Sequence, residues 1–178
     1  MKTIIVASGN PGKIREVKEI FGNEFKVMSI KDIGIEVDVK EDQETFEKNA
    51  IKKAETIARE LKQKTEIIAN ESRNSQIENE DWWVLADDSG LEAEALDGFP
   101  GVNTKRWFDG TDRERNLALI EKLNNSLKGK EDNRKVNFIA AIAFSNGEKS
   151  FCELGVLIGK LAEFPRGEMD LGLMKFLK

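Results

Sequence analysis

The chain has no histidine and a single cysteine, Cys152, among its 178 residues. Without imidazole, histidine-dependent triads, histidine-ligated zinc sites and histidine proton shuttles are excluded. One cysteine cannot form an internal disulfide, and the start shows no basic segment followed by an apolar signal core, so we expect a cytoplasmic protein. Any chemistry must rest on carboxylates, lysines, hydroxyls and backbone amides.

The sequence also lacks a long apolar run and an excess of positive charge. No segment approaches the roughly 20 apolar residues that a membrane span needs, so no membrane partner is expected. The net charge is -5, whereas a surface that binds a nucleic-acid polymer normally carries a basic face. A mononucleotide remains possible. With 39% hydrophobic and 34% charged residues, the composition is that of one ordinary globular domain.

The first informative segment is a strand, a turn and a helix at the start. Residues 3–7 are β-branched and apolar, which is typical of a buried strand in an α/β sheet. Asn10 suits a helix N-cap and Pro11 the first helical position. The glycines let the backbone approach a ligand, the helix start favours a phosphate, and Lys13 adds charge. A well-capped turn without a ligand is the alternative, and the spacing is not that of a Walker motif.

The second segment is Asp87, Asp88 and Ser89, predicted to end a strand over residues 82–86. Adjacent strand residues point to opposite faces, so one aspartate is expected to face a cleft and the other the scaffold. A carboxylate at this place could hold Mg²⁺ or orient an attacking water. The alternative is an acid pair in a turn or at a helix cap.

The remaining pattern predicts further helices and strands of an α/β fold. A helix from residue 45 should bury one apolar face, with Asn49 and Lys53 four apart on a single face. Residues 62–81 are predicted to form an inserted polar loop. A helix over 112–127 should turn Leu117, Ile120, Leu123 and Leu127 inward, and residues 136–144 and 150–157 read as a hairpin. Glu41, Asp42 and Glu44 are candidates for a second metal ligand, with solvated charges as the alternative.

An ordered set of motifs resembles the inosine triphosphate pyrophosphatase family, which hydrolyses non-standard purine nucleoside triphosphates. The resemblance runs from Ile4 to about Gly167 and includes residues 8–13, 45–50, 53–54, 86–91, 98–102, 104–106, Asn116 and 165–167. It implies a long, curved mixed β-sheet flanked by helices, with two lobes around a central cleft, in a single domain over residues 1–178. Family members are usually homodimers, so a second copy of the chain is an expected partner.

The resemblance also implies roles for individual residues. The segment made of Ser8, Gly9, Asn10, Pro11, Gly12 and Lys13 is expected to cradle the triphosphate, with Lys53 adding positive charge. Glu41 and Asp88 are expected to bind Mg²⁺, Asp88 to help activate the water, and Ser89 to touch the substrate. The expected reaction converts ITP, dITP or XTP to the monophosphate and pyrophosphate, which cleanses the nucleotide pool. Positioning and charge neutralisation supply most of the rate in such chemistry.

The tail departs from the family. After Gly167 the family continues with Asn-Gly-Phe-Gly-Tyr-Asp and later a Ser-His-Arg motif, which read the base; residues 168–178 differ. With the reading frame moved back by one nucleotide, permitted codons for residues 169–178 encode Asn-Gly-Phe-Gly-Phe-Asp-Glu-Val-Phe-Lys. Our hypothesis is an out-of-frame tail over 168–178 that replaces the family's C-terminal part. Purine discrimination and most turnover should then be lost. The DNA sequence beyond the codon for Lys178 tests whether the tail is out of frame. The alternative is an authentic shortened paralogue.

Two other functions stay open from the sequence. One is a non-catalytic nucleotide-binding paralogue, which would bind ITP without releasing pyrophosphate. The other is a pyrophosphatase for modified pyrimidine nucleotides, although the segment from Asn49 to Ala54 favours the purine branch.

Overall fold

A computed structural model of the protein describes residues 2–71, 81–129 and 133–163. Its helices are α1 (Pro11–Phe21), α2 (Phe46–Glu71) and α3 (Asp112–Leu127). Its strands are β1 (Thr3–Val6), β2 (Lys26–Ser29), β3 (Trp82–Ala93), β4 (Pro100–Gly101), β5 (Lys135–Ser145) and β6 (Ser150–Lys160). The tail predicted to be out of frame, residues 168–178, lies outside the described residues.

The strands form one mixed sheet. Its order is β2-β1-β3-β5-β6, and β4 pairs with β3. β1 runs parallel to both β2 and β3, with Val6 opposite Ser29 on one side and Leu85 on the other. β4 is antiparallel to β3. Helices flank this six-stranded sheet, so the predicted α/β class with a mixed sheet is confirmed.

Contacts divide the chain into two compact units. The first contains Met1–Asp88 and Ala141–Leu154; the second contains Ser89–Ala140 and the chain from Gly155 onward. Among the residues that the structure describes, no helix is long and apolar enough to cross a membrane.

The core of the first unit includes a cluster that fixes the start of α1. Ile4, Val6 and Leu85 are buried there, and side chains of α1 pack against them, namely Ile14, Val17 and Phe21. Asn10 caps α1 as predicted, because its side chain accepts a hydrogen bond from the Gly12 amide. The capped turn is therefore anchored directly at the end of β1.

Helix α2 confirms the predicted apolar face and corrects its length. The predicted face is buried: Phe46, Ala50, Ala54, Ile57, Ala58 and Leu61 are each at most 5% exposed. The predicted loop is wrong for residues 62–71, since α2 continues to Glu71. No glycine or proline interrupts the helix, and its polar Lys, Gln and Glu residues are good helix formers. Residues 72–80 of the predicted loop lie outside the described part of the chain.

The second unit has its own core, built from β3, α3, β5 and the residue that follows β6. The buried residues are Leu91, Ala93, Leu119, Ile120, Leu123, Val136 and Leu161. The inward face of α3 is shifted from the prediction, because Leu117 is 39% exposed while Asn116 and Leu119 are buried. The buried Thr104 hydroxyl ties the unit together, since it accepts a hydrogen bond from the Leu91 amide at 2.9 Å.

The sequence predicted that strand β3 ends at the aspartate pair, and this prediction is wrong. The strand continues to Ala93, because its later residues gain a new partner: Leu91 lies opposite Gly101 and Glu92 opposite Pro100 in β4. Asp87 and Asp88 therefore lie within a strand. They come just past Leu85, which pairs with the last residue of β1.

Candidate active site

The turn between β1 and α1 is held by its own polar side chains. The Asn10 amide donates to Ser8 Oγ at 3.1 Å, and Asn10 Oδ1 accepts from the Gly12 amide at 2.8 Å. Gly9 is exposed, and a Cβ placed on it would lie 3.5 Å from Lys31 Cε. The turn is thus preformed, and the Lys31 side chain lies beside Gly9.

Lys13 projects from the first turn of α1 to β3. Its Nζ forms an ion pair with Asp87 Oδ2, and both side chains are largely buried, at 35% and 15% exposure. The phosphate-binding residue predicted in the turn is therefore joined to the first aspartate of the second motif. The two residues are 74 positions apart in the chain, and they meet because β1 and β3 are neighbours in the sheet.

Asp88 lies on the opposite face of β3 and meets α2. Its Oδ2 accepts a hydrogen bond from Asn49 Nδ2 at 2.9 Å, and Asp88 is 8% exposed. The two aspartates thus contact different helices, α1 and α2, as strand alternation predicts. Both carboxylates have polar partners within the first unit.

Lysines of α2 hold the acidic segment that precedes this helix. Lys53 Nζ lies 3.1 Å from Glu41 Oε1, with side-chain exposures of 21% and 26%. Lys52 Nζ lies 2.6 Å from Asp42 Oδ1 and also donates to the Lys40 carbonyl at 2.8 Å. The Lys52 hydrogen bond, helped by the Gln43 side chain, lowers the pKa of Asp42 to about 2. Residues 40–44 therefore form an acidic segment that is bound to α2.

The predicted metal ligands fit a magnesium ion only together with a substrate. The described residues contain no group of three acidic, histidine or cysteine side chains arranged to hold a metal. Glu41 and Asp88 each offer hard carboxylate oxygens. Mg²⁺ commonly binds through one or two carboxylates, several waters and the phosphates of a nucleotide. The donor set fits that mode and does not fit a closed, all-protein cage.

The structure brings most predicted site residues into one unit. Residues 8–13, Glu41, Lys53 and Asp88 belong to the first unit, whereas Ser89 is the first residue of the second. Ser89 is half-buried in β3. Sequence reasoning missed the ion pair of Asp87, the approach of Lys31 to Gly9 and the bond from Asn49 to Asp88. Of these contacts, only the one made by Asn49 had a sequence signal, since Asn49 shares a helical face with Lys53.

Comparisons with known proteins identify relatives of this chain. Residues 4–173 match the model of the Ham1 family. A dITP/XTP pyrophosphatase of Clostridium perfringens is 38% identical over 177 residues, covering 97% of this chain and 78% of the relative. A protein of the same name from Bacillus subtilis is 37% identical over 175 residues, with the same shares covered.

Solved structures give the same result. The Staphylococcus aureus Ham1 protein superposes with a TM-score of 0.74 and 33% identity, covering 99% of this chain and 80% of that one. A HAM1 protein from Coxiella burnetii has a TM-score of 0.78 and 29% identity, covering 99% and 81%. The motifs, the sheet and these matches agree over nearly the whole chain, which therefore belongs to the Ham1 family.

Proposed function

We propose that this protein hydrolyses non-standard purine nucleoside triphosphates, of the ITP, dITP and XTP type, to the monophosphate and pyrophosphate. The observation that carries the proposal is the placement of two lysines, Lys13 and Lys53, in the same unit as Asp88, each in an ion pair with a carboxylate. The relatives named dITP/XTP pyrophosphatase supply the substrate class.

The lysines and the turn are proposed to bind the triphosphate. A phosphate chain carries several negative oxygens, and lysines bind such oxygens as point charges. In the proposed complex Lys13 exchanges Asp87 for phosphate and Lys53 exchanges Glu41 for phosphate. Ser8 and Asn10 shape the turn, and Gly9 and Gly12 leave room for the phosphates to approach the backbone. Ser89 is proposed to touch the substrate.

Magnesium is part of this proposal, with Glu41 and Asp88 as the side chains that would hold it. When bound beside the triphosphate, Mg²⁺ would neutralise charge that develops on the phosphate oxygens. In the free protein each carboxylate has a hydrogen-bonding partner on α2, Lys53 for Glu41 and Asn49 for Asp88. In the proposed complex Asn49 keeps its bond and orients the Asp88 carboxylate, as such partners of metal ligands do.

Asp88 is proposed to act as the general base. It accepts a proton from a water molecule as the water oxygen bonds to phosphorus, and the bond between the α- and β-phosphates breaks. Pyrophosphate leaves with the electron pair of that bond, so one triphosphate and one water yield one monophosphate and one pyrophosphate. A positioned general base typically contributes about 10² to 10⁴ in rate.

Pyrophosphate release from a panel of nucleotides tests the proposal. If residues 168–178 are an authentic tail, ITP, dITP and XTP should release pyrophosphate faster than ATP, GTP and dTTP. If the tail is out of frame, release should be slow and should differ little between these nucleotides. Omission of Mg²⁺ should abolish release in both cases. Binding of ITP without release would support the non-catalytic paralogue instead. Faster release from a modified pyrimidine triphosphate would support the third hypothesis. The Bacillus subtilis relative, assayed in parallel, measures whether turnover is reduced in this chain.

The proposal also includes a homodimer in the cytoplasm. Exposed apolar side chains along β6, among them Val156 at 59% and Ile158 at 63% exposure, support self-association, because large exposed apolar surfaces commonly mark interfaces. Light scattering coupled to size exclusion gives the mass in solution, and a monomer at micromolar concentration would contradict the dimer.

A further inference from the structure

We propose that Asn49 is a positioning residue that holds the Asp88 carboxylate and the segment containing Glu41 in place through one side-chain amide. The kinetic and metal-binding parts of this inference rest on the proposed function; its amide-exchange part does not. Nothing in the sequence motifs assigns Asn49 a role beyond its place on a helical face.

The geometry starts with burial. Asn49 lies in the first turns of α2 and is 1% exposed, among the most buried polar residues of the described chain. Its Nδ2 donates to Asp88 Oδ2 at 2.9 Å, and its Oδ1 accepts from the Gln43 amide at 2.9 Å. A buried amide with both ends bonded is costly to replace, since each removed bond leaves a buried polar group unsatisfied.

Only one orientation of the amide satisfies both neighbours. The Asp88 carboxylate is an acceptor and requires the NH₂ end, whereas the Gln43 backbone N–H is a donor and requires the oxygen end. A rotation of the amide by half a turn would set oxygen against carboxylate and NH₂ against N–H. Asparagine therefore supplies a donor and an acceptor together, which aspartate and leucine do not.

The second bond acts on the other candidate ligand through the backbone. Gln43 is two residues from Glu41, and Glu41 is itself bonded to Lys53, one helical turn beyond Asn49. The acidic segment is thus attached to α2 by its backbone at Gln43 and by a side chain at Glu41. Asn49 links this attachment to Asp88, which comes 39 residues later in the chain. One buried amide would therefore set the positions of both carboxylates before a metal arrives.

Two substitutions separate the two bonds. Asn49→Leu is close in volume and removes both. Asn49→Asp keeps an oxygen for the Gln43 amide but turns a second negative oxygen towards Asp88. Asn124 provides the matched control, because it lies on α3 in the other unit and its Oδ1 accepts from Arg134 Nη1 at 2.6 Å. Asn124→Asp and Asn124→Leu make the same chemical changes away from Asp88.

The readouts are Mn²⁺ binding by electron paramagnetic resonance in the presence of a non-hydrolysable ITP analogue, amide hydrogen exchange at Gln43, and pyrophosphate release. In Asn49→Leu, Mn²⁺ affinity should fall about 10- to 100-fold, as is typical when a partner of a ligand is lost, and exchange at Gln43 should accelerate. In Asn49→Asp, exchange at Gln43 should stay slow while kcat falls at saturating Mg²⁺. KM for ITP should change less than twofold in both, since the lysines are untouched. Both Asn124 variants should match the unmodified protein.

The inference is overturned if Asn49→Leu folds and keeps Mn²⁺ affinity and kcat within twofold of the unmodified protein. Accelerated exchange without any loss of Mn²⁺ affinity would equally overturn it, because Asn49 would then be a local structural cap. If Asn49→Leu does not fold, two other measurements test the inference: kcat of Asn49→Asp and the exchange rate of the Gln43 amide in the unmodified protein. Fast exchange of the Gln43 amide in the unmodified protein would refute its hydrogen bond to Asn49. Absence of pyrophosphate release from the unmodified protein would defeat the proposed reaction alone, because amide exchange at Gln43 would still test the position that Asn49 holds.

Discussion

Replacement of Lys53 by methionine tests the triphosphate contact most directly. Methionine keeps much of the side-chain length but removes the charge. A hydrogen bond to a charged group contributes about 1.5 to 3 kcal/mol. Because Lys53 already pairs with Glu41 in the free protein, at 3.1 Å, its net gain on binding phosphate should lie at the lower end. A loss of about 1.5 kcal/mol corresponds to roughly a tenfold decrease in kcat/KM.

The adjacent lysine is the matched control. Lys52 makes an ion pair with Asp42 at 2.6 Å, with side-chain exposures of 34% and 40%. Lys52→Met therefore removes a comparable ion pair from the same helix and the same acidic segment. Each substitution should lower the melting temperature only slightly and by a similar amount, because partly exposed ion pairs contribute little to stability. Only Lys53→Met should change kcat/KM by more than twofold.

The assay is the initial rate of pyrophosphate release over a range of ITP concentrations with Mg²⁺ in excess, together with a melting curve for each variant. If Lys53 binds substrate and transition state equally, KM rises and kcat is unchanged. The difference between the two variants should shrink as salt is added, because the contact is electrostatic. Equal kcat/KM values for Lys53→Met and Lys52→Met at low salt would refute the assignment of Lys53 to the triphosphate.

Three further predictions concern the proposed general base, the acidic segment before α2 and the core of the second unit. Asp88→Asn should lower kcat by about 10² to 10⁴ with little change in melting temperature, since the new amide oxygen can still accept from its neighbour; retained turnover would exclude Asp88 as the base. The Lys52 hydrogen bond lowers the pKa of Asp42 from its ordinary 3.8 to about 2, so this ion pair stabilises the fold above pH 3.8, and that contribution is lost as the pH falls through 2. Carboxyl NMR should show this titration moving upward in Lys52→Met, and an unchanged midpoint would contradict the ion pair. Leu123 is fully buried, so Leu123→Ala should destabilise the protein by about 3 kcal/mol, whereas Leu117→Ala, at an exposed position of the same helix, should cost about 0.5 kcal/mol or less. Equal urea midpoints for the two leucine variants would show that the burial is wrong.

Local sequence signals were sufficient for much of the secondary structure. The cap of α1 at Asn10 and the buried face of α2 follow from residue type and spacing within a few positions. The alternation that turns Asp87 and Asp88 to different helices is likewise a property of any strand. These features depend on short-range geometry, which the order of residues contains.

The lengths of elements were harder to predict. The first ten residues of the predicted loop, 62–71, belong to helix α2, because a polar stretch without glycine or proline is compatible with either helix or loop. Strand β3 passes the aspartates because β4 offers it a partner. The exposed Leu117 shows the same limit, since the inward direction of α3 depends on what packs against it.

The sequence by itself determined which groups are available for chemistry: no histidine, a glycine-containing turn with a lysine, an acidic segment and an aspartate pair. It also indicated the family through the order of its motifs. Only the tertiary structure decided how these groups pair, with Lys13 on Asp87, Lys53 on Glu41, and Asn49 between Asp88 and Gln43. The physical reason is that the contacts between motifs depend on which strands are neighbours and which helix covers each face of the sheet. Those neighbours are set by packing of the whole chain, which no local pattern of residues records.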